Sequence, residues 1–239
     1  MTVRKKLIQG HRVAVALAAI GAMTLAGCSG SGDDTQPVKD TDKSGSVQGE
    51  KTGDKKPAPI KASTAVGKAL LNDGDIGPDF SQQNSDDSLE APTNDICGKT
   101  WATNKRREAR QQDFFWDSSD KSPNVVVSNE VVVYRPGEAP DAIAEIKAAV
   151  SDCDGWKHSQ GEMTKLHLVD PPAEALKGSI SWEGVDDRDG TEYSYVAVYQ
   201  SKGDVLSVVY VWATEADKAR EYVEDLTPKA AEGLDRAQS

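Results

Sequence analysis

The sequence has little of the residues that most often do chemistry. It holds three histidines and three cysteines among 239 residues, and His11 precedes the first cysteine, so only His158 and His167 remain in the bulk of the chain. No serine or cysteine sits in a nucleophile-elbow or papain-like context. A lone imidazole is not a site, because catalysis is recognised by the geometry of several groups together. We assign no catalytic residue, no metal ligand and no cofactor, and expect no enzyme. Long apolar runs are also missing: the one at 13–26 is too short to cross a bilayer as a permanent helix. There is no internal repeat. Positive charge is in deficit, with 28 Lys and Arg against 39 Asp and Glu, a net charge of −11. A surface of that sign repels phosphates, which argues against nucleic acid as a partner.

What is present begins with an address. Arg4, Lys5, Lys6 and Arg12 form a positive start, the apolar run follows, and Leu25-Ala26-Gly27-Cys28 closes it with the small-residue pattern of lipoprotein processing. We therefore expect residues 1–27 to be a signal peptide. Cys28 would then carry lipid (a diacylglycerol thioether, with palmitate as the acyl chain), since only a thiolate makes that bond. The alternative is an ordinary secretory signal with an incidental cysteine. Arg4-Lys5-Lys6 contains no arginine pair, which disfavours the twin-arginine route. Cleavage before Cys28 removes four basic residues and no acidic ones, leaving 24 Lys and Arg against 39 Asp and Glu, a net charge of −15. So acidic a domain stands off anionic headgroups, and the lipid on Cys28 becomes its attachment to the extracytoplasmic face of the cell membrane.

With Cys28 used, Cys97 and Cys153 are left as an even pair in an oxidising cell envelope, and we expect them to form a disulfide. It would close a loop of 56 residues, which on chain-entropy grounds stabilises by about 4 kcal/mol. Two unpaired thiols are the alternative. A metal site on them is weaker, because their spacing is not that of a zinc knuckle and only His158 is near.

Residues 28–63 are rich in Gly, Ser, Thr, Asp, Lys and Pro, with six acidic and six basic groups after Cys28. Such a segment cannot bury enough surface to offset the entropy of ordering. It reads as a tether with a reach on the order of 30 Å. Residues 64–239 are of single-domain size. Within them we expect helices over 65–71 and 98–111, a strand over 113–117, a central strand over 125–135, and a helix over 140–150 that leaves Cys153 just past its end. In the central strand Val125, Val127, Val131 and Val133 share one face, and Val126, Val132 and Tyr134 share the other, which predicts cover on both sides. Strands over 164–169, 178–185, 192–200 and 204–212 follow. The turns Asp187-Arg188-Asp189-Gly190 and Ser201-Lys202-Gly203 imply antiparallel hairpins. Thr214 and Asp217 resemble a capping box for a last helix striped by Ala219, Tyr222, Val223 and Leu226. The class is α+β, a single domain with helices packed on one face of an antiparallel sheet.

Three constellations invite a functional reading. Asp186, Asp187, Asp189 and Gly190 superficially resemble a calcium loop, but Val185 and Tyr195 fall where that loop needs oxygen ligands, and a hairpin turn accounts for them. Lys105, Arg106, Arg107 and Arg110 form one positive island; as a solvated helix face, they would pair with carboxylates such as Glu108. The third set is aromatic: Tyr193, Tyr195 and Tyr199 share one strand face, Tyr210 and Trp212 share one face of the next, and Trp182 lies on the strand before. Rings on neighbouring strands could line a groove for a lipid, glycan or peptide. The plainer reading makes them the core under the last helix.

One feature order is familiar: lipobox, polar tether, then Lys68-Ala69-Leu70-Leu71-Asn72-Asp73-Gly74-Asp75-Ile76-Gly77-Pro78-Asp79-Phe80, a cysteine at 97, a strand after Val125, a helix ending at Cys153, then hairpins and a terminal helix. Over about 65–237 the chain resembles the PknH-like extracellular sensor-domain family, which comprises the outer domain of an actinobacterial receptor kinase and many free-standing lipoproteins. The resemblance implies an antiparallel sheet with flanking helices around a cleft and a role in binding an extracytoplasmic ligand. It brings no catalytic residues. Family members often carry two disulfides, whereas Cys97 and Cys153 allow one. No kinase domain or transmembrane helix is read here, so signalling would pass through a separate partner.

The expectation is thus a lipid-anchored ligand-binding or sensor module, with Trp182, Tyr193, Tyr195, Tyr199, Tyr210 and Trp212 as candidate ligand residues. The alternative is a structural or assembly lipoprotein that binds another envelope protein. Rings lining a cleft favour a ligand; rings buried under the last helix leave only outer surfaces for a partner.

Overall fold

The computed structural model describes residues 61–117, 119 and 123–239. Cys28, the expected signal peptide and nearly all of the expected tether lie outside the described residues. The core of the fold is one sheet of eight strands in the order β1-β2-β3-β8-β7-β6-β5-β4, every neighbouring pair antiparallel. The strands are β1 (Ser81–Asp86), β2 (Arg107–Trp116), β3 (Val125–Tyr134), β4 (Gly155–His158), β5 (Gly161–Val169), β6 (Ile180–Arg188), β7 (Thr191–Lys202) and β8 (Val205–Ala213). The helices are α1 (Ala62–Ala69), α2 (Asp73–Ile76), α3 (Ala139–Ser151) and α4 (Ala216–Ala237). Among the described residues no helix is long and apolar enough to cross a membrane.

The α+β class and the single antiparallel sheet are as the periodicity predicts. The helices, however, divide between the two faces. α4 packs on Val196, Val198, Val209 and Val211, and α1 joins it over Val131 and Val133. α3 packs on the reverse, with Ile143 and Ile146 against Val132, Tyr199 and Leu206. β3 is therefore covered on both sides, as its double apolar pattern implies. α1 meets α4 so closely that a Cβ on Gly233 would lie 2.3 Å from the Ala69 carbonyl oxygen. α2 is short, but Asn72 and Asp75 form a reciprocal capping box that fixes its start.

Several local expectations do not hold. The basic stretch near 105 is not helical: a 3-10 turn (Ala102–Arg106) leads into β2. Arg107 pairs with Tyr134, and the register shifts between Arg107 and Ala109, so Arg107 and Arg110 reach the same face of the sheet. The strands β1 and β4 were not expected. They are the two edges of the sheet, and β1 reads Ser-Gln-Gln-Asn-Ser-Asp, with no apolar alternation to reveal it. Glu215, not Thr214, is the N-cap of α4 and caps with no side chain. The Thr214 backbone N–H instead donates to the Asn124 carbonyl. Between β6 and β7, Asp189 and Gly190 both have positive φ, 50° and 84°. That is the two-residue hairpin turn suited to the twist of the flanking strands.

Candidate functional site

The two faces of the sheet carry different chemistry, and pleating places each residue. On the α3 face one row across the strands runs Trp182, Ala197, Tyr210, Ser128, Phe114. The next runs Gly184, Tyr195, Trp212, Val126, and the one after Trp156, Met163, Asp186, Tyr193. Large rings thus alternate with Gly184, Ala197 and Ser128, which leave space above the sheet. α3 fills the space at one end only. At the other end a cleft of about 670 Å³ remains, with five of the six candidate rings in its wall: Trp182, Tyr195, Tyr199, Tyr210 and Trp212. Tyr193 lies on the same face but outside the wall, its hydroxyl donating to the Pro123 carbonyl at 3.4 Å. The rings are therefore not the core under the last helix, which sits on the opposite face.

The rings brace one another. Tyr195 lies 4.6 Å from Trp182 and 4.9 Å from Trp212, and Tyr210 lies 5.8 Å from Tyr199, centroid to centroid. Edge-on and tilted contacts of this kind each add about 1 kcal/mol beyond burial. Phe114, Trp116 and Trp156, each half-buried, complete the apolar wall.

The cleft is roofed by the segment 87–104, and its anchoring explains residues that the sequence placed wrongly. Arg107 donates to the carbonyls of Leu89 and Ala91, both at 2.7 Å. Arg110, 4% exposed, donates to Glu130 at 2.5 Å and to Asp86 at 2.7 Å. Glu130, 1% exposed, also accepts from the Thr93 hydroxyl and the Tyr210 hydroxyl, each at 2.8 Å. The island read as a solvated helix face is instead partly a buried clamp, because a carboxylate inside the sheet face requires a cation and hydrogen bonds. Burial alone would lower the Arg110 pKa, but Glu130 and Asp86 outweigh it and the group is held above its ordinary value. The disulfide between Cys97 and Cys153, Cα atoms 6.0 Å apart, ties the roof to the residue just past α3, as expected.

A second buried carboxylate stands in the opposite wall. Asp186, 1% exposed, accepts from His158 Nε2 at 2.9 Å, Arg188 Nε at 2.7 Å and Trp212 Nε1 at 2.9 Å. Its oxygens are thus engaged by three donors, and among the described residues no cluster of metal-binding side chains occurs. The Arg188 guanidinium lies over the Trp212 ring, 4.8 Å from its centre. His158 Nδ1 accepts the Gln160 backbone N–H at 3.3 Å. His167 is outside the cleft, its Nδ1 beside the Lys165 carbonyl.

Asp95, on the roof, is the third carboxylate of the wall. It is reached by water yet surrounded by protein, and this desolvation raises its pKa, with the charge of Glu130 pushing the same way. Burial also lifts the phenols of Tyr195, Tyr199 and Tyr210 above their ordinary value, and carboxylate charge adds to it: Asp95 and Asp186 on Tyr195, Glu130 on Tyr199 and Tyr210. Trp182 is 2% exposed, and its indole N–H finds no hydrogen-bond partner.

Sequence reasoning found the rings, read Asp186 and Arg188 only as parts of a hairpin turn, and missed Asp95 and Glu130. One signal was present for Glu130: Ser128-Asn129-Glu130 interrupts an otherwise β-branched central strand, where a polar group has to be satisfied by the fold.

No family model matches the chain, and no curated protein does. Among solved structures, the extracellular domain of PknH from Mycobacterium tuberculosis covers 73% of this chain and 98% of its own, at 12% identity and a TM-score of 0.54. The chain has the fold of the PknH extracellular domain. A putative uncharacterized protein from Mycobacterium smegmatis also aligns, covering 73% of this chain and 97% of its own, at 10% identity and a TM-score of 0.40. The PknH-type fold is what the feature order from Lys68 to the last helix implied.

Proposed function

We propose that this chain is a lipid-anchored extracytoplasmic binding or sensor module whose ligand enters the aromatic cleft. The observation that carries the reading is the cleft itself: about 670 Å³ kept open by small residues between rings, and roofed by a segment that one disulfide and two buried arginines hold down. A space of that size with a few placed polar groups is what a small-molecule site requires. The PknH-type fold supports a sensor role, and Cys28 with the segment 28–63 supports placement at the membrane.

The alternative, a structural lipoprotein gripping an envelope protein, needs an outer docking surface. Leu89 is the exposed large hydrophobic residue among the described residues, which offers such a partner little apolar area. The non-enzymatic reading rests on the absence of a recognisable catalytic constellation in the sequence; the imidazole in the cleft wall, His158, contacts Asp186 through Nε2 and the Gln160 backbone N–H through Nδ1.

Native mass spectrometry tests the proposal on the full chain, released in mild detergent from envelopes of the bacterium that makes it. A small added mass that leaves on denaturation is the expected result. A bare chain, with another envelope protein retained, would overturn it in favour of the structural role.

A further inference from the structure

The charge balance of the cleft wall, taken with its rings, points to one class of ligand; the argument rests on the binding-module reading above. The wall carries three carboxylates, Asp95, Glu130 and Asp186, and one guanidinium, Arg188. Arg110 compensates Glu130 from behind, outside the wall. One negative charge is therefore left over, on Asp95, which is exposed at the cleft yet near enough that its charge acts on Tyr195 and Tyr199, and among the described residues no lysine or arginine pairs with it. The ring faces carry negative potential as well. The cleft already shows what this combination attracts, because the Arg188 guanidinium lies over Trp212 at 4.8 Å.

Hydrogen-bonding capacity narrows the class. Glu130 takes Thr93, Arg110 and Tyr210, and Asp186 takes His158, Arg188 and Trp212. On these two buried carboxylates little acceptor capacity is left, so Asp95 is the one free carboxylate of the wall, and it alone does not satisfy the three N–H groups of a primary ammonium, each of which needs an acceptor on burial. An alkylated ammonium has no such requirement. It asks only for ring faces and an opposite charge, which is how aromatic cages hold choline-like groups.

We propose that the cleft binds a small quaternary ammonium group, enclosed by the rings around Tyr195, Tyr210 and Trp212 and neutralised by Asp95.

The test uses the full chain in detergent, with choline chloride as probe, sodium chloride as the ionic-strength control and neohexanol as the uncharged isostere of choline. Tryptophan fluorescence and calorimetry read binding. Choline is expected to bind saturably and neohexanol about tenfold more weakly or worse. Asp95→Asn should weaken choline about tenfold and leave neohexanol unchanged. Arg188→Met, which removes the competing internal cation, should strengthen choline. A merely structural role for the two residues predicts that both substitutions weaken both probes, and that result would overturn the proposal. So would neohexanol binding as tightly as choline, or no saturable signal from choline. If choline fails while the native chain still carries a released small molecule, the cleft is a binding site for another chemistry and only this inference falls. If choline fails and the native chain is bare, the binding-module reading falls with it.

Discussion

Under α4 the sheet presents Val127, Val196, Val198, Val209 and Val211, and on its reverse it presents Trp182, Tyr195, Tyr210 and Trp212 around Glu130 and Asp186. The same strands make both faces, so local propensity cannot explain the contrast. The valine face of the central strands is closed by α4, with α1 beside it. The aromatic face is covered only in part by α3, and where cover stops, rings, charge pairs and a stapled roof hold a cleft open. One face is stabilised by non-directional burial. The other depends on a few directional contacts, and that is the arrangement a specific site needs.

Substitutions should separate the faces. Arg110→Ala leaves Glu130 buried without its cation, and we expect a loss of about 3–5 kcal/mol in urea denaturation, with Glu130→Gln restoring part of it. Replacing Cys97 and Cys153 together by serine releases the roof and should cost about 4 kcal/mol on chain-entropy grounds, again read as a shift of the denaturation midpoint. Leu226→Ala, on the valine face, should cost about 3 kcal/mol while leaving any binding to the cleft unchanged. A change in binding with Leu226→Ala would break the comparison, since it would couple the faces through the sheet.

The smallest effect belongs to the rim. Arg220, half-exposed on α4, makes two bonds to Glu183, at 2.8 and 2.7 Å. Solvent screening limits the pair to about 0.5 kcal/mol. The Arg220 bond lowers the Glu183 pKa. Its contribution is therefore present above the unfolded-state value and lost as pH falls through the folded-state value. Arg220→Ala should reduce stability slightly at neutral pH and not at all in acid, as followed by thermal denaturation across pH.

Much of the fold was legible because its signals are local. Continuous β-branched runs marked β3 and β8, glycine-bearing turns marked the hairpins around β7, and periodic alanine and isoleucine marked α3. The edge strands β1 and β4 were not legible, since an edge facing water needs no apolar alternation. The stretch 98–111 misled because arginine and alanine favour helix locally, while the pull of Glu130 on Arg110 acts across two strands. In the site the pattern repeats: the same-face spacing of Tyr195 and Tyr199, and of Tyr210 and Trp212, was visible in sequence, whereas Asp95, Glu130, Asp186 and Arg188 meet only when distant segments pack.

By itself the sequence determined the scarcity of catalytic side chains, the excess of acid and the alternation that puts rings on one side of three neighbouring strands, and it left the pairing of Cys97 with Cys153 as an expectation that the structure met. These follow from composition, parity and a two-residue period, all properties of a chain read in order. Only the tertiary structure decided that α4 would cover the valine side, that α3 would stop short on the other, and that two buried carboxylates would take their partners and leave Asp95 without one. Those outcomes depend on which surfaces meet and which charges are desolvated together, and neither is fixed until the sheet has formed.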